Sequence, residues 1–208
     1  MSDYSTVRPN PNSHEDDYKA FFGGKAIQWD QRGEFQLKFL MSQGMAPGHS
    51  LADVGCGPLR AGHFLIRYLD PGKYCGVDYN ANFIAVAKNT IASDEHLRSK
   101  SPTLDVVRNF DLEPLAREFD FILLFSVLNH CSDQEKALFF QNLPRIMHAD
   151  TKVFISHATW LSPNDVPSGM IAGMTTALSG DLDPSKWGWN AKESLFPIVE
   201  LRRCRNNA

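Results

Sequence analysis

The stretch Leu51-Ala-Asp-Val-Gly-Cys-Gly-Pro-Leu-Arg60 decides how this chain is read. Leu51 to Val54 read as the end of a buried strand. Gly55 and Gly57 then let the backbone turn tightly where a side chain would block a ligand. After the turn, residues 61–69 (Ala-Gly-His-Phe-Leu-Ile-Arg-Tyr-Leu) read as a helix. A second strand over 73–78 ends in the carboxylate of Asp78. An acid at that place can accept hydrogen bonds from both hydroxyls of a ribose. Strand, glycine turn, helix and strand together make the nucleotide-binding corner of an open α/β sheet.

Outward from that corner, strands and helices alternate. Upstream, residues 29–43 carry a partial apolar face in Phe35, Phe39, Leu40 and Met41 and are predicted helical, with Gly44 as cap and Pro47-Gly48 turning into the first strand. Residues 18–22 form a short amphipathic piece ended by Gly23-Gly24, and 16–48 together are expected to be N-terminal lid helices. Residues 1–15, with Pro9, Asn10, Pro11 and Asn12, are expected to be a mobile leader. Downstream, 82–88 reads as a helix, 93–102 as a polar loop and 103–108 as a third strand. The continuous apolar run within 119–128 suits a fourth strand buried on both faces. Residues 134–147 read as a helix that Pro144 should kink or break, and 151–157 as a fifth strand. Residues 161–190 lack a clear period and are expected to form a cap insertion over the sheet edge. The segment 196–203 is the one convincing strand beyond the fifth. The fold class expected is α/β: a Rossmann-like, doubly wound, mostly parallel sheet, with 16–208 as a single domain.

Composition narrows the function. A chain of 208 residues is long enough for one sizeable core. The net charge of −3, with no basic run longer than Arg202-Arg203, argues against a dedicated nucleic-acid binder. No apolar run is long enough for a membrane span, and Met1-Ser-Asp-Tyr-Ser-Thr lacks a signal-peptide core. Cys56, Cys75, Cys131 and Cys204 form no Cys-x-x-Cys pair, so no structural zinc is expected, and reduced thiols in a cytoplasmic protein are.

The glycine turn separates two cofactor classes. A dinucleotide site wants Gly-x-Gly-x-x-Gly, because the third glycine brings the helix N-terminus close to a pyrophosphate. Here Arg60, a large cation, stands at that position, and Asp53 lies two residues before the first glycine. An acid there suits a cofactor with a cationic amino-acid part. The pattern Asp53-x-Gly55-x-Gly57, with Asp78 ending the next strand, resembles the class I S-adenosylmethionine-dependent methyltransferases over roughly residues 29–160. One departure is the third glycine that this family often has, replaced here by Leu59. A nicotinamide-dependent oxidoreductase is the alternative by geometry; the missing glycine and the absence of any Tyr-x-x-x-Lys pair count against it. A degenerate domain that binds the cofactor without turnover is a third reading.

The resemblance implies S-adenosyl-L-methionine as cofactor and assigns roles. Asp53 would orient the loop or the amino group, the backbone at Gly55, Cys56 and Gly57 would face the methionine part, and Asp78 with Tyr79 would bind the ribose side. Arg60 would meet the cofactor carboxylate or be an ordinary surface arginine. Asn109 or Asp111 would reach the adenine edge, Asp111 having a turn before Pro114 as its alternative role. Phe110 would pack on the adenine or in the core, and Phe125 would border the site from the fourth strand. Methyl transfer from a sulfonium needs alignment, exclusion of water and, for a protonated acceptor, a base. His130, following the fourth strand, is the candidate base, with bracing of the loop as its other role. Tyr18, Trp29 and His157 are candidates for holding the acceptor.

Strand four carries no Asn/Asp-Pro-Pro-Tyr/Phe grip for a base or glutamine amino group, no Pro-Cys nucleophile and no acidic cluster for magnesium. A small-molecule acceptor methylated at oxygen or nitrogen, of secondary-metabolite or sugar type, is therefore expected. No metal, membrane or nucleic-acid partner is expected, and the oligomeric state stays open.

Overall fold

The computed structural model describes residues 26–156, 170–174 and 198–203. Helix α1, Ala26–Ser42, precedes strand β1, Leu51–Val54, as the apolar face of Phe35, Phe39 and Leu40 predicts. All three side chains are buried. Gly44 ends this segment at φ 93°, a left-handed conformation that glycine reaches without strain, and its N–H donates to the Met41 carbonyl. The glycine turn leads into α2, Gly62–Tyr68, then β2, Tyr74–Asp78. Helix α3 runs over Ala81–Ser93, longer than the segment 82–88 read from sequence. The Asn80 side chain caps it by accepting from the Asn82 N–H.

The expected loop at 93–102 is corrected: it contains a short helix, α4, Glu95–Ser99. Asp94 supplies its N-cap, accepting from the Leu97 N–H, and also pairs with Arg67 of α2. Leu97 is wholly buried, so one apolar residue anchors a turn whose other side chains are polar. Strand β3, Thr103–Val106, and strand β4, Phe119–Leu124, are both shorter than expected. β4 stops before Phe125 because the chain turns sharply there, with Ser126 at φ 61°. Helix α5, Asp133–Asn142, starts with a capping box between Ser132 and Glu135. It gives way to a 3₁₀ turn over Leu143–Ile146, Pro144 breaking the α-helix as its missing N–H requires.

Strand β5, Met147–Ser156, is followed by β6, Met170–Met174, and β7, Ile198–Arg203. The seven strands form one sheet in the order β3-β2-β1-β4-β5-β7-β6. The first five strands pair in parallel, while β7 is antiparallel to both β5 and β6. Sequence reading found a single strand after the fifth; the second is β6, inside the segment expected as a cap. Its Met-Ile-Ala-Gly-Met has no alternation to announce it. Apart from β6, the segment 161–190, like the leader 1–15, lies outside the described residues.

Helices cover both faces of the sheet, giving two buried clusters. One joins Phe35, Phe39 and Leu40 of α1 to Leu65 and Ile66 of α2 and to Phe121 and Phe154 of the sheet. The other joins Phe139 and Phe140 of α5 to Ile122, Leu124, Val153 and Ile155. Alternate residues of β4 thus serve opposite clusters, as its unbroken apolar run predicts. At the amino edge of the sheet, Asp120 Oδ2 accepts from the N–H and hydroxyl of Ser50, at 2.7 and 2.8 Å. His148 Nε2 lies 3.2 Å from Asp120 Oδ1, tying the β5 entry to β4. The opposite, carboxyl edge is where the glycine turn sits.

Candidate active site

The turn after β1 is held by backbone and glycine geometry together. The N–H groups of Gly55 and Cys56 both donate to the Val77 carbonyl of β2, at 2.7 and 3.0 Å. Gly55 has φ 81°, and a Cβ added to it would lie 2.4 Å from Val127 Cγ2. The turn therefore packs directly on the loop that leaves β4. Gly57 has φ 55°, and an added Cβ there would meet nothing within 4 Å. One glycine is required by a neighbour; the other opens onto free space.

Leu59, where a third glycine was expected from the resemblance, takes φ 67° and is buried. The chain thus keeps the left-handed conformation that glycine would supply, at a cost of roughly 1–2 kcal/mol, and gains a core side chain. Gly62 makes room for it: an added Cβ would stand 2.5 Å from Leu59 Cδ2.

Two carboxylates face this turn from adjacent strands. Asp53 is 4% exposed and accepts a 2.8 Å hydrogen bond at Oδ2 from the Tyr74 hydroxyl. Burial pushes its pKa up to about 6; the Tyr74 bond opposes that rise, Asp78 adds to it, and Arg60 opposes it. Asp78 accepts from the Gly57 N–H at Oδ2 (2.9 Å) and from the Asn80 N–H at Oδ1 (2.8 Å). Burial raises its pKa, and these backbone N–H bonds counter the rise. Asp78 thus clamps the glycine turn to the start of α3. Each of its oxygens keeps acceptor capacity beyond these bonds.

Arg60 follows the turn, just before α2. Its guanidinium carbon stands 5.7 Å from the centre of the Trp29 ring, and its Nε is buried without a hydrogen-bond partner. Burial lowers its pKa to about 10, nearby Arg32 lowers it further, and Asp53 works the other way. Helix α1 comes close enough here that a Cβ on Gly33 would sit 2.1 Å from the Arg60 carbonyl oxygen. Trp29, a candidate for acceptor binding, is buried and clusters with Val86 of α3.

The remaining sequence candidates spread along the same edge. Tyr79 is 47% exposed immediately after Asp78, beside Val106 at the end of β3, itself 41% exposed. Asn109 and Phe110 both take left-handed conformations in the turn after β3. Asn109 is exposed, whereas Phe110 packs edge-on against Phe139 of α5 with ring centres 5.4 Å apart. Asp111 is exposed and accepts from the Glu113 N–H at 3.3 Å, which is the turn-capping alternative weighed for it. Phe125 is buried against Phe35, with ring centres 6.3 Å apart. Cys56 is buried, and burial drives its thiol pKa well up, so its part in the turn is that of a small apolar residue.

His130 closes a 3₁₀ turn, Leu128–His130, after β4. It is exposed, its N–H donates to the Val127 carbonyl, and its Nε2 lies 3.2 Å from Asn129 Nδ2. Partial burial lowers its pKa below the usual imidazole value. Ser156, at the carboxyl end of β5, steadies this loop by accepting the Ser126 N–H at 2.8 Å. Tyr18 and His157 lie outside the described residues. Two positioning groups, Tyr74 and Ser156, escaped sequence reasoning. Parallel register pairs Asp53 with Gly76, two residues from Tyr74 on the same face, and that spacing was the available signal for Tyr74.

These features fit S-adenosylmethionine. Space is open over Gly57, whose N–H is held by the buried acid Asp78; the buried acid Asp53 ends the approach to the same turn, and an orphaned guanidinium nitrogen stands at Arg60. Acids suit an ammonium and ribose hydroxyls, and a guanidinium suits a carboxylate.

Comparison with known proteins agrees. Residues 52–152 match the methyltransferase domain family. The fold is similar to magnesium protoporphyrin IX methyltransferase from Synechocystis PCC 6803, crystallised with bound SAM (20% identity, 98% of each chain, TM-score 0.61). It is also similar to a TehB-like SAM-dependent methyltransferase from Corynebacterium glutamicum (18% identity, 90% of this chain and 93% of that one, TM-score 0.57). A third likeness is to TrmN from Thermus thermophilus (13% identity, 82% of this chain and 48% of that one, TM-score 0.59). At these identities the likeness is one of fold. No curated protein matches the chain. No described helix is long and apolar enough to cross a membrane. The methyltransferase domain match runs from β1 into β5 and takes in the glycine turn with both of its acids, Asp53 and Asp78, the residues that carry the resemblance to the class I S-adenosylmethionine-dependent methyltransferases.

Proposed function

We propose that this enzyme transfers a methyl group to an oxygen or nitrogen of a small-molecule acceptor. The observation that carries the cofactor half is the open space over Gly57, in a glycine turn that carries two buried acids, Asp53 and Asp78. The acceptor half is supported by the net charge of −3 and the lack of a basic run, which give a polyanion nothing to follow. When bound, S-adenosylmethionine supplies a methyl already activated by a positive sulfur. The chain's own residues bind and orient. Asp53 holds the amino group, Asp78 the ribose hydroxyls and Arg60 the carboxylate; Tyr79, with Asn109 or Asp111, lies toward the adenine side. His130 accepts the acceptor's proton, its lowered pKa favouring the neutral imidazole that can take the proton up.

Calorimetric titration tests the cofactor half with S-adenosylmethionine, S-adenosylhomocysteine and NADH. Micromolar binding of the two sulfur compounds without NADH is expected; binding of NADH alone would overturn the reading of the glycine turn. For the acceptor, labelled methyl groups are followed into a metabolite extract, total RNA and protein. Label confined to RNA or protein would refute a small-molecule acceptor.

A further inference from the structure

The way Tyr74 is housed has no counterpart in the roles assigned above. Its ring is almost wholly buried at the start of β2. Two glycines make that possible. A Cβ on Gly76, the next residue on the same face of β2, would lie 3.0 Å from Tyr74 Cε1. A Cβ on Gly62 of α2 would lie 2.6 Å from the Tyr74 hydroxyl oxygen. The ring runs along the strand over Gly76, whose register partner is Asp53, and its hydroxyl ends 2.8 Å from Asp53 Oδ2. A phenylalanine would fill the same groove; only the hydroxyl reaches the acid.

We propose that Tyr74 is a positioning residue for the cofactor's amino group: its hydroxyl fixes Oδ2 of Asp53 so that Oδ1 is presented to the ammonium. This rests on the cofactor site argued above. Two consequences separate it from a packing role. The bond to Oδ2 favours the ionised carboxylate, the form an ammonium needs. It also acts only on ligands that carry the amino group. The titratable groups facing Asp53 are Tyr74, Cys75 and Asp78 from β2, and Cys56 and Arg60 from the turn. Burial pushes the Tyr74 hydroxyl and both thiols up, so all three stay protonated near pH 7.

The test compares S-adenosylhomocysteine with 5′-methylthioadenosine, which lacks the amino-acid part, by calorimetry between pH 6 and 8.5. Tyr74→Phe is expected to weaken S-adenosylhomocysteine about 10-fold at pH 7, the worth of one hydrogen bond to a charged group. Methylthioadenosine should stay within about 2-fold, because nothing on it meets Asp53. The fall in S-adenosylhomocysteine affinity on acidification should begin at higher pH in the variant. Equal weakening of both ligands, or of neither, overturns the proposal. A wild-type protein that binds neither ligand overturns the cofactor reading first and this proposal with it. If Tyr74→Phe does not fold, 3-fluorotyrosine placed at position 74 keeps the shape and strengthens the donor. The acid limb should then move to lower pH, and an unmoved limb overturns the proposal.

Discussion

Asp53→Asn should make the ligand-free protein more stable near neutral pH while removing its affinity for the cofactor. The Asp53 carboxyl has a folded pKa of about 6 against an ordinary value of 3.8, chiefly through burial. The folded state therefore holds its proton to higher pH than the unfolded state. Stability from the neutral carboxyl is complete below 3.8 and is lost as pH rises through about 6. Above that range the ionised acid costs the fold about 3 kcal/mol, at about 1.4 kcal/mol per pKa unit. Asparagine is neutral throughout, and its amide oxygen can still accept from the Tyr74 hydroxyl. For a chain of this size 1 kcal/mol moves Tm by roughly 2–4 °C. The variant should thus melt about 6–12 °C above the wild type at pH 8, with the gap shrinking toward pH 5. Differential scanning calorimetry of both proteins without ligand, from pH 5 to 8, measures this. A variant no more stable than wild type at pH 8, or a gap that does not depend on pH, would refute the reasoning.

The two turn glycines should respond differently. Gly55→Ala forces a Cβ onto Val127 at a left-handed φ and should cost about 2–4 kcal/mol of stability in urea denaturation. Gly57→Ala meets no neighbour, so it should cost only about 1 kcal/mol while weakening cofactor binding more than 10-fold by calorimetry. His130→Ala should leave cofactor affinity within about 2-fold and lower turnover on the true acceptor by about 100-fold. With His130 as base, the wild-type rate falls as pH drops through its lowered pKa, since the imidazole gains a proton there; a pH–rate profile checks this, and a variant that retains the acid limb would give His130 the bracing role.

Sequence made the parallel half of the sheet legible because its central strands are buried on both faces and flanked by helices. β1, β2 and β4 therefore stood out as apolar runs, and the two acids at the corner stood out by spacing. Helix α4 did not, because Leu97 alone is its apolar anchor among polar neighbours. Strand β6 did not, because Met-Ile-Ala-Gly-Met at the sheet edge carries no alternation. At the site, the residue types of Asp53, Gly55, Gly57 and Asp78 were readable; what they touch was not. Asp111 had two roles open, and only the bond from Glu113 N–H placed it on a turn. Tyr74 went unread, because its register partner is Leu51 and only the length of its ring, lying over Gly76, carries the hydroxyl to Asp53.

The strand order has a consequence for synthesis. β7 lies between β5 and β6, yet it comes last of the three along the chain. Until residues 198–203 leave the ribosome, one side of β5 has no strand beside it. That strand includes Val153, Phe154 and Ile155, all apolar, so the nascent chain carries an open hydrogen-bonding edge from the emergence of β5 until β7 follows it. The five parallel strands can assemble as they emerge, and the later pairing of β7 then closes the open side of β5.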